Sequence, residues 1–134
     1  MYIKGRGVLQ DFAEAVTWFR KAAEQGYAGA QYNLGKMYSN GQGVPQNRTE
    51  AWNWYRKAAE QDHASAQILM GVMYNVGIGT PQDYIQAHMW FNLAASQGSK
   101  DASVSRDLLA DLMTSQQVYE AQALARKWVS KNRQ

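Results

Sequence analysis

Apolar and polar positions recur along the chain with a fixed period. The stretch 15–25 is matched position by position at 51–61 and again at 87–97, at a step of 36 residues without insertion or deletion. A constant period of this length is typical of stacked repeat proteins, in which each repeat is one supersecondary unit. The period therefore predicts the architecture before any single residue is considered.

Each of these stretches contains an apolar stripe with helical spacing. Small and aromatic residues fall at i, i+3, i+4 and i+7, which is one face of an α-helix. The positions are Ala15, Trp18, Phe19 and Ala22, then Ala51, Trp54, Tyr55 and Ala58, then Ala87, Trp90, Phe91 and Ala94. We name these segments the B helices and predict them over 12–25, 48–61 and 84–97.

The residue before each B helix is of a type that caps helices. Asp11, Asn47 and Asp83 are each followed three residues later by Glu or Gln, which is the pattern of a capping box. The predicted helix starts therefore agree with the apolar pattern. The candidate C-cap residues at the other end are Gly26, Asp62 and Gly98.

A second set of helices, the A helices, is predicted over 28–40 and 64–76. They are joined to the following B helices by the Gly- and Pro-containing loops 41–45 and 77–81. A glycine inside a helix costs about 1 kcal/mol relative to alanine, so its repetition in the A helices indicates a packing reason. We expect large rings of neighbouring helices to need the room. The small residues concerned are Ala30, Gly35, Ala66 and Gly71.

After Gly98 the pattern changes. The sequence Thr114-Ser-Gln-Gln117 predicts another capping box and a last helix. Apolar residues form one stripe before that box and another after it, which predicts a C-terminal capping helix pair that ends the stack. The first stripe is Leu108, Leu109, Leu112 and Met113, and the second is Ala121, Leu124, Ala125, Trp128 and Val129.

These elements predict an all-α protein, an α-solenoid of helix–turn–helix repeats with a period of 36 residues. The expected single domain 1–134 comprises a partial repeat 1–26, repeats 27–62 and 63–98, and a cap 99–134. Met1 aligns with Met37 and Met73, so the chain begins within a repeat and we expect upstream sequence in the natural protein. The open end would then expose Val16 and Phe19 and favour self-association.

Composition removes several classes of function. The chain of 134 residues is 46% apolar and has no cysteine, which excludes disulfides, thiol nucleophiles and thiolate metal sites. Its net charge of +3 is too balanced to indicate nucleic-acid binding. Basic residues do gather at the end, where they match the dipole of a helix C-terminus better than a nucleic-acid or lipid-headgroup patch. They are Arg126, Lys127, Lys131 and Arg133.

Candidate chemistry is sparse. His63 and His88 have no carboxylate or second histidine at metal-ligand spacing, so we interpret both as packed side chains. The Gly-x-Gly loops follow no predicted strand and lack a P-loop lysine, which argues against a phosphate site. We predict no metal, no cofactor and no catalysis. The sequence contains neither an apolar run long enough for a membrane helix nor a recognisable signal peptide, and it leaves the compartment open between cytoplasmic and periplasmic or secreted.

The repeats resemble the Sel-1-like repeats (SLR), helix–turn–helix units related to tetratricopeptide repeats. The resemblance rests on Ala30 to Tyr38, read as A-x-x-x-L-G-x-x-Y, on the Gly-x-Gly-Val-Pro loop 41–45 and on the run 51–61. It covers about residues 1–100. It implies a scaffold or adaptor that binds other proteins, as in many bacterial members. Departures from the pattern are Asp62 for glycine, Leu93 for lysine and Asp107 for glycine.

A binding face is expected on the A helices. Stacked helix pairs curve, and the A helices would line the concave side. Positions there differ between repeats, which indicates that packing does not require them. We therefore predict that they hold a peptide or protein segment. The residues are Tyr32, Lys36, Ser39 and Asn40 in the first A helix and Ile68, Val72, Asn75 and Val76 in the second.

Overall fold

The repeat pattern folds into helical hairpins. The computed structural model describes the backbone of residues 4–133 and the side chains of residues 11–133, and within that range it contains seven helices and no strand. The prediction of an all-α chain is confirmed. The helices are α1 (Lys4–Glu24), α2 (Ala28–Asn40), α3 (Arg48–Glu60), α4 (Ala64–Val76), α5 (Tyr84–Ala95), α6 (Lys100–Ala110) and α7 (Ser115–Asn132).

The predicted helix starts hold except at the first one. Asn47 and Asp83 each accept a hydrogen bond from the backbone N–H three residues on, at 3.1 Å. Thr114 and Gln117 form the complete capping box. The predicted cap at Asp11 is wrong, because α1 already runs from Lys4 and Asp11 lies inside it. Backbone N–H groups within a helix are bonded to the preceding turn, so no free donor is left there to cap.

The chain divides into two compact units, Met1–Ala58 and Ala59–Gln134. In the first unit, α1 and α2 pack against each other and enclose an apolar cluster with α3. In the second unit, α5 packs against α4, α6 and α7. The clusters at the two centres are Val16, Ala23, Leu34, Met37 and Trp54 in the first unit, and Ala87, Phe91 and Leu109 in the second.

Close approach between helices explains the repeated glycine of the A helices. A Cβ on Gly35 would lie 2.8 Å from Cδ1 and Cε1 of Tyr55, and a Cβ on Gly71 would lie 2.6 Å from the same two atoms of Phe91. Both distances are far shorter than carbon–carbon contacts allow. The predicted reason for the glycines is therefore confirmed, since an aromatic ring of the following B helix occupies the space of the missing side chain.

The three repeated tryptophans do not share one environment. Trp54 and Trp90 are 9% and 5% exposed, whereas Trp18 is 69% exposed. Trp54 lies in the cluster formed with α1 and α2, and no described helix precedes α1 to cover Trp18 in the same way. The expected exposure of Val16 and Phe19 is also wrong, because Val16 is buried and Phe19 packs against the same cluster.

A residue with positive φ lies in the turn after each B helix at the predicted position, but the prediction of Gly98 as a C-cap is wrong, because the C-cap of α5 is Ser96, two residues earlier. Gly26 and Gly98 have φ of 95° and 101°, and Asp62 adopts φ of 68° at the equivalent place. For a residue with a side chain this conformation is unfavourable. Asp62 is compensated by Arg133, whose Nε and Nη2 donate to its two carboxylate oxygens at 2.7 and 2.8 Å. Gln67 and Gln97 donate further hydrogen bonds to the same carboxylate at 2.9 and 3.0 Å. The end of α7 is thereby tied to the turn between α3 and α4.

Within residues 4–133, none of the helices combines the length and the apolar character that crossing a membrane would require.

Candidate protein-binding site

The predicted site residues of α2 form a polar surface in the first unit. The Lys36 ammonium lies 5.5 Å from the centre of the Tyr32 ring, and that ring lies 5.8 Å from the ring of Tyr55. Ser39 is half-buried and hydrogen-bonds to the Tyr55 side chain. Burial raises the pKa of Tyr55 to about 12, so the phenol stays protonated. Asn40 is exposed at the end of the helix.

The predicted site residues of α4 form an apolar surface in the second unit. Ile68 packs against the core cluster, while Val72 and Val76 are exposed. Asn75 is half-buried, and its backbone carbonyl accepts a 2.7 Å hydrogen bond from the Gln82 side chain. Asn75 and Val72 both line the groove described next.

A groove runs between α4 and α6, with α5 beneath it. Its floor is formed by Phe91 and Leu109, which are almost completely buried. Its volume is about 230 Å³. The lining carries no charged side chain and consists of Val72, Asn75, Phe91, Ser105, Leu108, Leu109 and Leu112. The structure therefore places two of the eight predicted site residues, Val72 and Asn75, in one apolar recess.

The sequence prediction missed the α6 side of this groove. The sequence assigns Leu108 and Leu112 to an apolar stripe of the C-terminal pair, and the structure leaves them 65% and 68% exposed. Leu109 is the buried member of this stripe, because it lies on the side of α6 that packs against α5, and Met113 packs against the same cluster. A signal was present in the sequence. The apolar positions 68, 72 and 76 of α4 recur 36 residues later as Val104, Leu108 and Leu112.

Both histidines lie in the helical framework, with His63 at the start of α4 and His88 inside α5. His63 accepts a hydrogen bond from the backbone N–H of Ala66 at the start of α4, and its pKa is lowered by burial. His88 is buried on α5, and burial followed by the charge of Arg106 lowers its pKa, against a smaller opposing effect of Asp107. In the part of the chain with described side chains, no three His, Asp or Glu residues are grouped as a metal site would require.

Comparison with known proteins gives consistent matches. The sequence profile of the Sel1 repeat matches residues 1–27, 28–63 and 64–99. Among solved structures, a protective antigen present in uropathogenic Escherichia coli strains, which displays an SLR fold, is 36% identical with a TM-score of 0.84. A Sel1 repeat protein from Oxalobacter formigenes is 46% identical with a TM-score of 0.72. The matched regions are 90% and 74% of the present chain.

The present chain spans only 26% of the Escherichia coli protein and 41% of the Oxalobacter protein. No curated protein matches it. The likenesses confirm the predicted solenoid of helix–turn–helix repeats.

Proposed function

The chain belongs to the Sel1 repeat family, and we propose that it is a non-catalytic scaffold that holds a segment of a partner protein against helices α4 and α6. Sel1 repeat proteins commonly serve as protein–protein interaction scaffolds. The observation that carries the proposal is the apolar groove between α4 and α6. Side chains that a stable core would bury lie instead at its rim.

The exposure of the rim is costly unless something covers it. Leu108 and Leu112 each keep about two-thirds of their surface in water. Burying a leucine side chain fully stabilises a protein by about 1.5–3 kcal/mol, so covering this rim supplies several kcal/mol to a complex. Contiguous apolar surface of this kind, with polar neighbours, is typical of interaction sites. Asn75 and Ser105 provide the polar neighbours here.

The spacing of the apolar residues indicates the shape of the partner. On the α6 side the lining runs from Ser105 through Leu108 to Leu112, just past the helix end at Ala110, which is a length of about two helical turns. A short amphipathic helix with an apolar residue on each turn matches this length. We therefore propose that the partner inserts the apolar face of a helical segment of about two turns, with its polar face turned to water.

Site-specific photocrosslinking tests the proposal. A photoreactive phenylalanine analogue at position 108 should form a discrete adduct in the native host, whereas the same group at the exposed Tyr119 of α7 should not. Val72→Asp should abolish the adduct, because it introduces a charge into the apolar rim. Tyr119→Asp adds the same charge elsewhere and should leave it intact. Equal adducts from positions 108 and 119, or an adduct that survives Val72→Asp, would contradict the proposal.

A further inference from the structure

A second pocket lies on α7, away from the groove and from every residue assigned to it. Met89 of α5 and Leu124 and Trp128 of α7 form its apolar wall, and Lys127 and Lys131 stand at its edge. Its volume is about 270 Å³. The two lysines are four residues apart on one helix, so their side chains emerge from the same face one turn apart.

Within residues 11–133, no acidic side chain neutralises the positive charge of this pocket. No carboxylate pairs with Lys127 or Lys131 among residues 11–133, and the pocket lining contains no acid. The last acidic residue of the chain, Glu120, lies about 10 Å before Lys127 along the helix. The helix dipole explains a lysine only in the last turn, which fits Lys131 but not Lys127.

The Trp128 side of the apolar wall is held by contacts with the rest of the unit. The Trp128 ring meets the ring of Trp90 edge-on, with centroids 6.2 Å apart at 68°. The Arg133 guanidinium lies 5.5 Å from the centre of the Trp128 ring, and that guanidinium is itself fixed by Asp62. Met89 behind the pocket is buried. A ligand therefore finds its contacts already ordered, which reduces the entropic cost of binding.

We propose that this pocket binds an acidic peptide segment, which inserts one large apolar side chain against Trp128 while its carboxylates pair with Lys127 and Lys131. The recess has room for one large side chain, and the Trp128 ring packs against Trp90 beside it, which favours an inserted peptide side chain over a membrane surface. A nucleic acid would need cations spaced along many phosphates, and the pocket offers two.

The direct test uses a fluorescein-labelled peptide in which glutamates flank a central Leu-Phe pair. Fluorescence anisotropy should show saturable binding to the full chain, and a peptide with glutamine for every glutamate should bind at least about tenfold more weakly, which corresponds to about 1.4 kcal/mol. The double substitution Lys127→Glu and Lys131→Glu should weaken binding of the acidic peptide by about tenfold or more.

The chain provides a matched control in the first unit. Lys21 and Lys57 also lie over tryptophan rings, at 5.7 and 4.6 Å from the ring centres of Trp18 and Trp54. Changing both to glutamate alters the net charge by the same amount as the α7 pair. The control protein should bind the acidic peptide within about twofold of the unchanged protein. Equal loss in both double variants would show a general charge effect and overturn the proposal.

Nuclear magnetic resonance on the unchanged protein avoids any dependence on the folding of variants. The indole N–H resonance of Trp128 should shift on adding the acidic peptide, while that of Trp18 should not. No shift at Trp128 would refute the proposal. The proposal would also be refuted if the protein bound phosphatidylserine vesicles or oligo-dT tightly and did not bind the acidic peptide, because the lysines would then recognise a membrane or a nucleic acid.

Discussion

Replacing Gly35 with alanine tests the packing that the repeats depend on. Helix propensity alone would favour alanine by about 1 kcal/mol. The new Cβ, however, would lie 2.8 Å from two ring carbons of Tyr55 and 3.3 Å from the carbonyl oxygen of Ala51. The Tyr55 ring is buried and packs against Tyr32, so it has little room to yield. Overpacking of this kind typically costs about 1–3 kcal/mol.

The two opposing effects predict a net loss of up to about 2 kcal/mol for Gly35→Ala. Gly29→Ala in the same helix is the matched control, because nothing lies within 4 Å of a Cβ at Gly29. It should be neutral or stabilising by up to about 1 kcal/mol. Urea unfolding followed by circular dichroism and by tryptophan fluorescence measures both changes in the free energy of unfolding.

A double-mutant cycle identifies the ring as the cause. Tyr55→Leu removes the ring whose Cδ1 and Cε1 atoms clash with the new Cβ, so Gly35→Ala should lose a large part of its cost in that background. If Gly35→Ala matches Gly29→Ala in the unchanged protein, the close approach does not limit packing. If its cost persists unchanged in the Tyr55→Leu background, some contact other than the ring is responsible.

Three further predictions concern stability. Asp62→Asn removes the charge that Arg133 binds and should cost about 1–2 kcal/mol at neutral pH. Burial opposes ionisation of Asp62, yet hydrogen bonding from Arg133 lowers its pKa in the folded state. The stabilisation is therefore present above the unfolded pKa near 4, and the free energies of unfolding of the variant and the unchanged protein should approach each other as the pH falls below that value. The pKa of His88 is lowered in the folded state, so below about pH 6.5 the unfolded state binds a proton more readily than the folded state and the free energy of unfolding should fall. His88→Val, which copies Val16 at the same position of α1, should flatten that part of the pH profile of unfolding. Trp54→Ala should cost about 3–5 kcal/mol in urea unfolding and Trp18→Ala less than about 1 kcal/mol, and equal costs would mean that the exposure of Trp18 does not hold in solution.

Helix positions were predictable because several independent patterns agree on them. The A helices over 28–40 and 64–76 match the structure at both ends, since a glycine loop and a left-handed turn bound them. The start of α1 was not predictable from the repeat. Alignment of the repeats predicts an N-cap at the same position of each unit. Whether a helix begins at that position depends on the residues that precede it, and in α1 these are already helical.

The candidate site was predictable only in part. The repeat period shows which apolar positions recur between repeats, but it does not show which of those side chains stay exposed to solvent. Leu108 and Leu109 are adjacent and of the same type, yet Leu109 is buried while Leu108 is exposed at the rim of the groove. Only the direction in which α6 packs against α5 separates them. The recurrence of apolar residues at the exposed positions 72 and 108 pointed to the groove, but a strong stripe in a terminal helix pair is also what a cap requires.

The two proposed sites of the second unit differ in the interaction that would stabilise a complex, and salt separates them. The groove between α4 and α6 has no charged residue in its lining, so affinity there comes from apolar burial and should change little between about 0.05 and 0.5 M NaCl. The α7 pocket has two unpaired lysines, and its affinity for an acidic peptide should fall several-fold over the same range. A crosslink at position 108 that weakens as steeply with salt as peptide binding at α7 would mean that both readouts report one electrostatic contact. The apolar groove would then have no independent role in binding.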